Sequence, residues 1–159
     1  MKKNVRNGVF ETNSSSCHSV SVSQNGRKPN EMTIDRNGVI TTTIKDWNNY
    51  EGAWTQSEKL SYLVSLLWAR SRYYTAEDIE DFCNCYEFKN IERAIYDYVP
   101  DCMELKVKLD STADEYWGLF NHQILNESNG VEDLVNIYDK EAIIDFIFNE
   151  YLHVDVWRD

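Results

Sequence analysis

"TQSEKLSYLVSLLWARSRY", residues 55–73, decides the fold. Thr55 and Glu58 have the N-cap and N3 spacing of a capping box, in which each side chain satisfies a backbone amide at the other end of the first turn. Leu60, Leu63, Val64, Leu66, Leu67 and Trp68 follow, and leave only a narrow polar stripe of Glu58, Ser61 and Ser65. A helix that is apolar on nearly every side must be covered on nearly every side. The spacing therefore predicts a buried helix over 55–73, packed on a sheet at the centre of the core.

Upstream of that helix the chain reads as β. "HSVSVS" (18–23) alternates. "EMTIDRNGVITTTIKD" (31–46) places two strand-like runs around Asn37-Gly38. That dipeptide accepts positive φ at both positions and suits a type I′ hairpin. Residues 39–45 are rich in β-branched side chains, and residues 23–31 read as an exposed connection. Downstream, Thr75 is the expected N-cap of a second helix, with Asp78 at N3. Ile79, Phe82, Cys83 and Tyr86 fall on one face of it; Glu77, Asp78, Glu80 and Asp81 fall on the other. A helical piece over 91–98 stops before Val99-Pro100. Residues 103–109 alternate as a strand, 110–116 form a loop, and 117–125 read as a further strand. Asn129-Gly130 breaks the chain, Asp139 caps a helix over 140–148, and 151–157 close as a strand. The expected fold is a single α+β domain, 1–159. In it an N-terminal β-hairpin or sheet packs on the central helix; 1–50 are mainly β, 55–98 mainly helical, and 102–159 mixed.

A chain of 159 residues with 42% hydrophobic and 27% charged residues has ordinary globular composition. Aromatics reach 13%, with five Trp and ten Tyr, and these residues anchor interfaces as well as cores. The net charge of −11 is unevenly spread. Residues 1–50 hold seven Lys/Arg against four Asp/Glu, or +3; residues 51–159 hold nine against 23, or −14. Such a body repels phosphate backbones, which disfavours direct nucleic-acid binding outside the first third and favours a basic partner. Cys17, Cys83, Cys85 and Cys102 match no metal or disulfide framework, since Cys83-x-Cys85 is one residue short of a CxxC turn. They read as reduced thiols. No apolar run follows the basic start, so no signal peptide is expected. None approaches the ~20 residues of a membrane helix. The expected setting is cytoplasmic, with no metal and no cofactor.

The densest polar segment is "ETNSSSCHS" (11–19). Its plain reading is a turn in which Ser, Thr and Asn bond nearby backbone groups. Its functional reading is the rim of an anion site made by Glu11, Thr12, Asn13, Ser14, Ser15 and Ser16, with His18 as acid, base or donor and His122-Gln123 across the same pocket. No phosphate loop or nucleophile elbow is present. His153, between Leu152 and Val154, reads as structural or as a surface residue. The carboxylates Glu77, Asp78, Glu80 and Asp81 are the second candidate, a partner-binding face. Their spacing approaches the charge density of duplex DNA, but the run lasts barely one turn.

"NGVFETNSSSCHSVSV" (7–22) resembles the opening of a group of small, mostly uncharacterised proteins encoded by bacteriophages and prophages of Gram-positive bacteria. That opening reads Gly-x-Phe-Glu-Thr-Asn-Ser-Ser-Ser-x-His-Ser, and Gly8, Phe10, Glu11, Thr12, Asn13, Ser14, Ser15, Ser16, His18 and Ser19 match it. "NHQIL" (121–125) and "FIFN" (146–149) are weaker echoes; Asn121 and Ile124 depart from the group's Asp and Ser. The resemblance implies a phage or prophage accessory gene and brings no activity with it. Two functions follow as expectations. One is a non-enzymatic, anti-CRISPR-like protein that binds and inhibits a basic, nucleic-acid-handling host defence protein such as a CRISPR effector nuclease, through acidic and aromatic surface. The other is a small nucleotide- or phosphate-binding enzyme or sensor built on residues 11–18 and His122.

Overall fold

The computed structural model of the chain describes residues 5–9, 16–22, 32–47, 52–74, 78–113 and 135–158. It is an α+β fold. In chain order the elements are β1 (Val5–Val9), β2 (Ser16–Val22), β3 (Val39–Ile44), β4 (Gly52–Ala53), α1 (Gln56–Tyr74), α2 (Ile79–Asn84), α3 (Tyr86–Tyr98), β5 (Glu104–Leu109), a 3₁₀ turn (Ser111–Ala113), α4 (Lys140–Phe148) and β6 (Leu152–Arg158). Among the described residues they form two sheets, an antiparallel one in the order β1-β2-β6-β4 and a parallel pair, β3-β5.

The capping box forms as the sequence requires. Thr55 Oγ1 accepts from Glu58 N at 3.1 Å, and Glu58 Oε2 accepts from Thr55 N and Trp54 N at 3.0 and 2.9 Å. From there α1 is buried on every side. Leu60, Tyr62, Leu63, Val64, Leu66, Leu67, Trp68 and Ala69 are all core residues, as are the stripe residues Ser61 and Ser65. The two serines are buried because they seal β3. Ser61 Oγ donates to Thr43 O, and Ser65 Oγ accepts from Lys45 N at 3.1 Å. Tyr62 meets Trp47 edge-on at 5.3 Å, and Trp68 meets Phe82 likewise at 5.2 Å.

Asn37-Gly38 makes a turn but not the expected type I′ hairpin. Among the described residues only glycines have positive φ; Gly38 is at +77° and Asn37 is not positive. Asp35 explains the difference. Its carboxylate accepts from Asn37 N and Val39 N at 2.7 and 2.9 Å, and its carbonyl accepts from Gly38 N. This is a type I turn followed by one left-handed glycine. The run before it, residues 32–35, forms no strand. The partner of β3 comes instead from 65 residues downstream in register, Val39 opposite Glu104 and Ile44 opposite Leu109. Gly38 O accepts from Met103 N at 2.7 Å, and a Cβ on Gly38 would lie 2.7 Å from Met103 Cγ and 2.9 Å from Asp101 O. The N-terminal antiparallel pair is β1–β2, with Val5 opposite Val22.

The second helix also differs. Its N-cap is Asp78, whose Oδ1 accepts from Asp81 N at 2.9 Å; Thr75 lies outside the described residues. The helix turns at Cys85, which ends α2 and caps α3, its sulfur accepting from Phe88 N. Tyr86 therefore belongs to α3 and is exposed, not on the buried face with Phe82. The helix expected over 91–98 starts earlier, at Tyr86, and ends before Val99-Pro100 as expected. Asp139 caps α4 through Glu141 N and Ala142 N.

Thr42 carries one local cost. It is 3% exposed, and its Oγ1 is buried with no hydrogen-bond partner. A buried hydroxyl that bonds nothing costs about 1–3 kcal/mol. Thr42→Val keeps the branched shape and removes the hydroxyl, so it is expected to raise the melting temperature. A drop in urea or thermal unfolding would show that the hydroxyl is satisfied.

Candidate functional surface

The candidate residues of the N-terminal motif divide. Glu11, Thr12, Asn13, Ser14 and Ser15 lie outside the described residues, as do His122 and Gln123. Ser16 and His18 stand on β2, an inner strand of the antiparallel sheet, opposite Arg158 and Val156 of β6. The strand expected over 117–125 and the connection over 23–31 also lie outside the described residues.

Of the acidic candidates, Glu77 lies outside the described residues. Asp78, Glu80 and Asp81 are exposed at the start of α2, with Asp78 engaged as its cap. They are part of a larger surface that sequence spacing did not assemble. α3 lies along α4 and the turn before it. Tyr86 stacks on Tyr138 at 6.1 Å, Tyr138 Oη meets Glu87 Oε1 at 3.4 Å, and Asn90 Nδ2 donates to Ile137 O at 3.2 Å. Farther along, Lys140 pairs with Asp97 at 3.0 Å and Tyr98 stacks on Phe148 at 4.0 Å. α3 has 13 residues, so this seam is about 20 Å long.

The charge on these three helices and their caps is one-sided. Asp78, Glu80, Asp81, Glu87, Glu92, Asp97, Asp139, Glu141 and Asp145, with Glu150 just past the α4 C-cap, stand against three cations, Lys89, Arg93 and Lys140. Lys89 is paired with Glu92 at 2.9 Å and Lys140 with Asp97. That leaves eight carboxylates and Arg93. Tyr86, Tyr98, Tyr138 and Tyr151 stand exposed among them, Tyr86 at 61%. Exposed tyrosines on a surface rich in carboxylates present flat apolar faces and negative potential together, which suits a basic protein surface. The signal in the sequence was the tyrosine count of the acidic body, but only folding brings Tyr86 to Tyr138.

A second cluster lies at the junction of α1, β4 and β6. Gly52 of β4 leaves no room for a side chain against the carbonyl of Val154, so β4 lies close on β6 and Trp54 stacks on His153 at 3.8 Å. His153 Nε2 is 3.3 Å from Asp155 Oδ1. Burial pushes the imidazole below its usual pKa, against the pull of Asp155. His153 is 5% exposed under the Trp54 ring, so this pair works as packing, and of the two readings of His153 the surface one does not hold. Beside it, Lys59 is 1% exposed, and its Nζ donates to the carbonyls of Asn149 and Leu152 at 2.7 and 3.0 Å. Burial lowers its pKa to about 8, offset in part by Asp145.

The thiols of Cys83, Cys85 and Cys102 are pushed up, chiefly by burial, which makes them poor nucleophiles. No group of His, Cys, Asp and Glu able to hold a metal occurs among the described residues. No described helix is long and apolar enough to cross a membrane. No family model, curated protein or solved structure matches the chain.

Proposed function

We propose that this protein is a non-enzymatic binding protein. Its acidic, tyrosine-bearing face on α2, α3 and α4 engages a basic, nucleic-acid-handling protein and blocks it. The observation that carries this reading is the net surplus of seven carboxylates on α2, α3, α4 and their flanks, with the Tyr86–Tyr138 stack exposed on the same helices. A surface of that sign repels nucleic acid and competes with it for the same cationic groove. The phage-like opening narrows the partner to a host defence protein, and a CRISPR effector nuclease is the member of that class with a long basic channel.

The test is inhibition. Purified protein is titrated into guide-loaded effector nucleases of Gram-positive bacteria, and target cleavage and target binding are both followed. The expected result is loss of target binding at stoichiometric protein, relieved when Glu80 and Glu87 are both changed to Lys. Cleavage and binding that continue unchanged in every effector tried would remove the nuclease from the proposal. Inhibition that survives the double substitution would remove the face.

A further inference from the structure

A strand directs the backbone groups of alternate residues to opposite edges. In β3, Gly38 O accepts from Glu104 N and Ile44 O accepts from Asp110 N, so the even-numbered residues bond β5. The odd-numbered residues face the other edge, which is closed at both ends. Val39 exchanges both its groups with Asp35, Thr43 O accepts from Ser61, and Lys45 N donates to Ser65. Between these ends, Thr41 N–H, Thr41 C=O and Thr43 N–H make no hydrogen bond to another of the described residues. They open on a cleft of about 300 Å³ whose walls include Thr41, Thr43, Lys45, Ser57, Glu58 and Asp110. That volume is at the lower end of the range for ligand sites, about 300–1,000 Å³.

We infer that this cleft is a peptide-docking site, in which an extended basic segment of a partner protein adds as a strand to the open edge of β3. The edge offers donor, acceptor, donor, and a short stretch of extended chain supplies the complement. Charge selects a basic guest. Glu58 and Asp110 stand on the walls against one cation, Lys45, whose Nζ is held 4.4 Å over the Trp47 ring. Glu58 bonds Trp54 N and Thr55 N through Oε2 alone. The site uses none of the α2–α4 face, so it stands or falls separately from the proposed function.

The experiment is amide NMR on the whole chain. In the free protein, Thr41 and Thr43 amides exchange quickly with solvent, while Ile40, Thr42 and Ile44 amides, bonded to β5, are protected. Adding acetyl-Val-Lys-Val-Lys-Val-amide shifts and protects the Thr41 and Thr43 amides. The peptide methylated on its backbone nitrogens loses at least tenfold in affinity, and acetyl-Val-Glu-Val-Glu-Val-amide does the same. Thr41→Pro, which removes an N–H that β5 does not use, also abolishes the response while Ile40 and Ile44 stay protected. The inference is overturned if the lysine peptide leaves these amides unmoved, or if the methylated or glutamate peptide binds as well. Protection of Thr41 and Thr43 that appears in the free protein and grows with its concentration would assign the edge to a second copy of the chain instead.

Discussion

Replacing Leu63 or Leu67 with alanine lowers the stability of the chain by about 2–5 kcal/mol, the range for buried leucines whose cavity collapses only in part. Both side chains are core residues, 1% and 3% exposed, on a helix with no wet face to turn toward. The loss reads directly in urea or thermal unfolding. A surface substitution in α3, such as Arg93→Ala, serves as the control and is expected within about 0.5 kcal/mol of the parent. If either leucine variant melts with the parent, α1 is not the centre of the core.

The second large effect concerns Lys59. Its pKa falls from the usual 10.5 to about 8 in the folded chain. Below pH 8 both folded and unfolded chains hold the proton, and the full penalty of burying the charge is present. Between pH 8 and 10.5 the unfolded chain binds more protons, so this residue makes stability rise with pH. From pH 7 to pH 10 the gain is about 2–3 kcal/mol. The raised pKa values of Cys83, Cys85, Cys102 and Tyr96 act in the opposite sense as the pH climbs through their own range. The comparison is therefore made between the parent and Lys59→Met at each pH. The parent is expected to gain on the variant by that amount as the pH rises. A constant difference would mean that Lys59 stays charged in the fold and that the carbonyls of Asn149 and Leu152 fully replace its water.

Sequence reading located what local chemistry specifies. The capping box at Thr55 and Glu58, the stop at Val99-Pro100 and the cap at Asp139 are short-range arrangements, and each stands where the residues put it. Pairing was harder. Alternation over 39–45 announces a strand without naming its neighbour, and the neighbour of β3 arrives only after α1, α2 and α3 have crossed back. Asn37-Gly38 suggested a local partner; Asp35 took up the amides instead. β4 is two residues long and has no period to read. Lys59 was invisible because a lysine within an apolar helix looks like its wet side, until Asn149 at the end of α4 and Leu152 at the start of β6 each supply a carbonyl. The partner face was legible only as composition. Asp78, Glu80 and Asp81 were noticed as a run, but Tyr86, Glu87 and Tyr138 meet through packing between segments 51 residues apart.

If the face on α2, α3 and α4 binds by charge and tyrosine contact, its association with a basic partner depends on salt. Association with a basic partner is measured by stopped flow from low to physiological ionic strength. The parent is compared with Glu80→Lys/Glu87→Lys, Tyr86→Ala/Tyr138→Ala, and a control with two exposed carboxylates outside these helices reversed, Asp101→Lys/Glu104→Lys. The expected association rate falls steeply with salt. Association slows for the glutamate pair alone, and dissociation is faster for the tyrosine pair, whose loss costs about 2 kcal/mol or more. An association rate that is flat in salt, or that slows equally in the control, would contradict binding through this face.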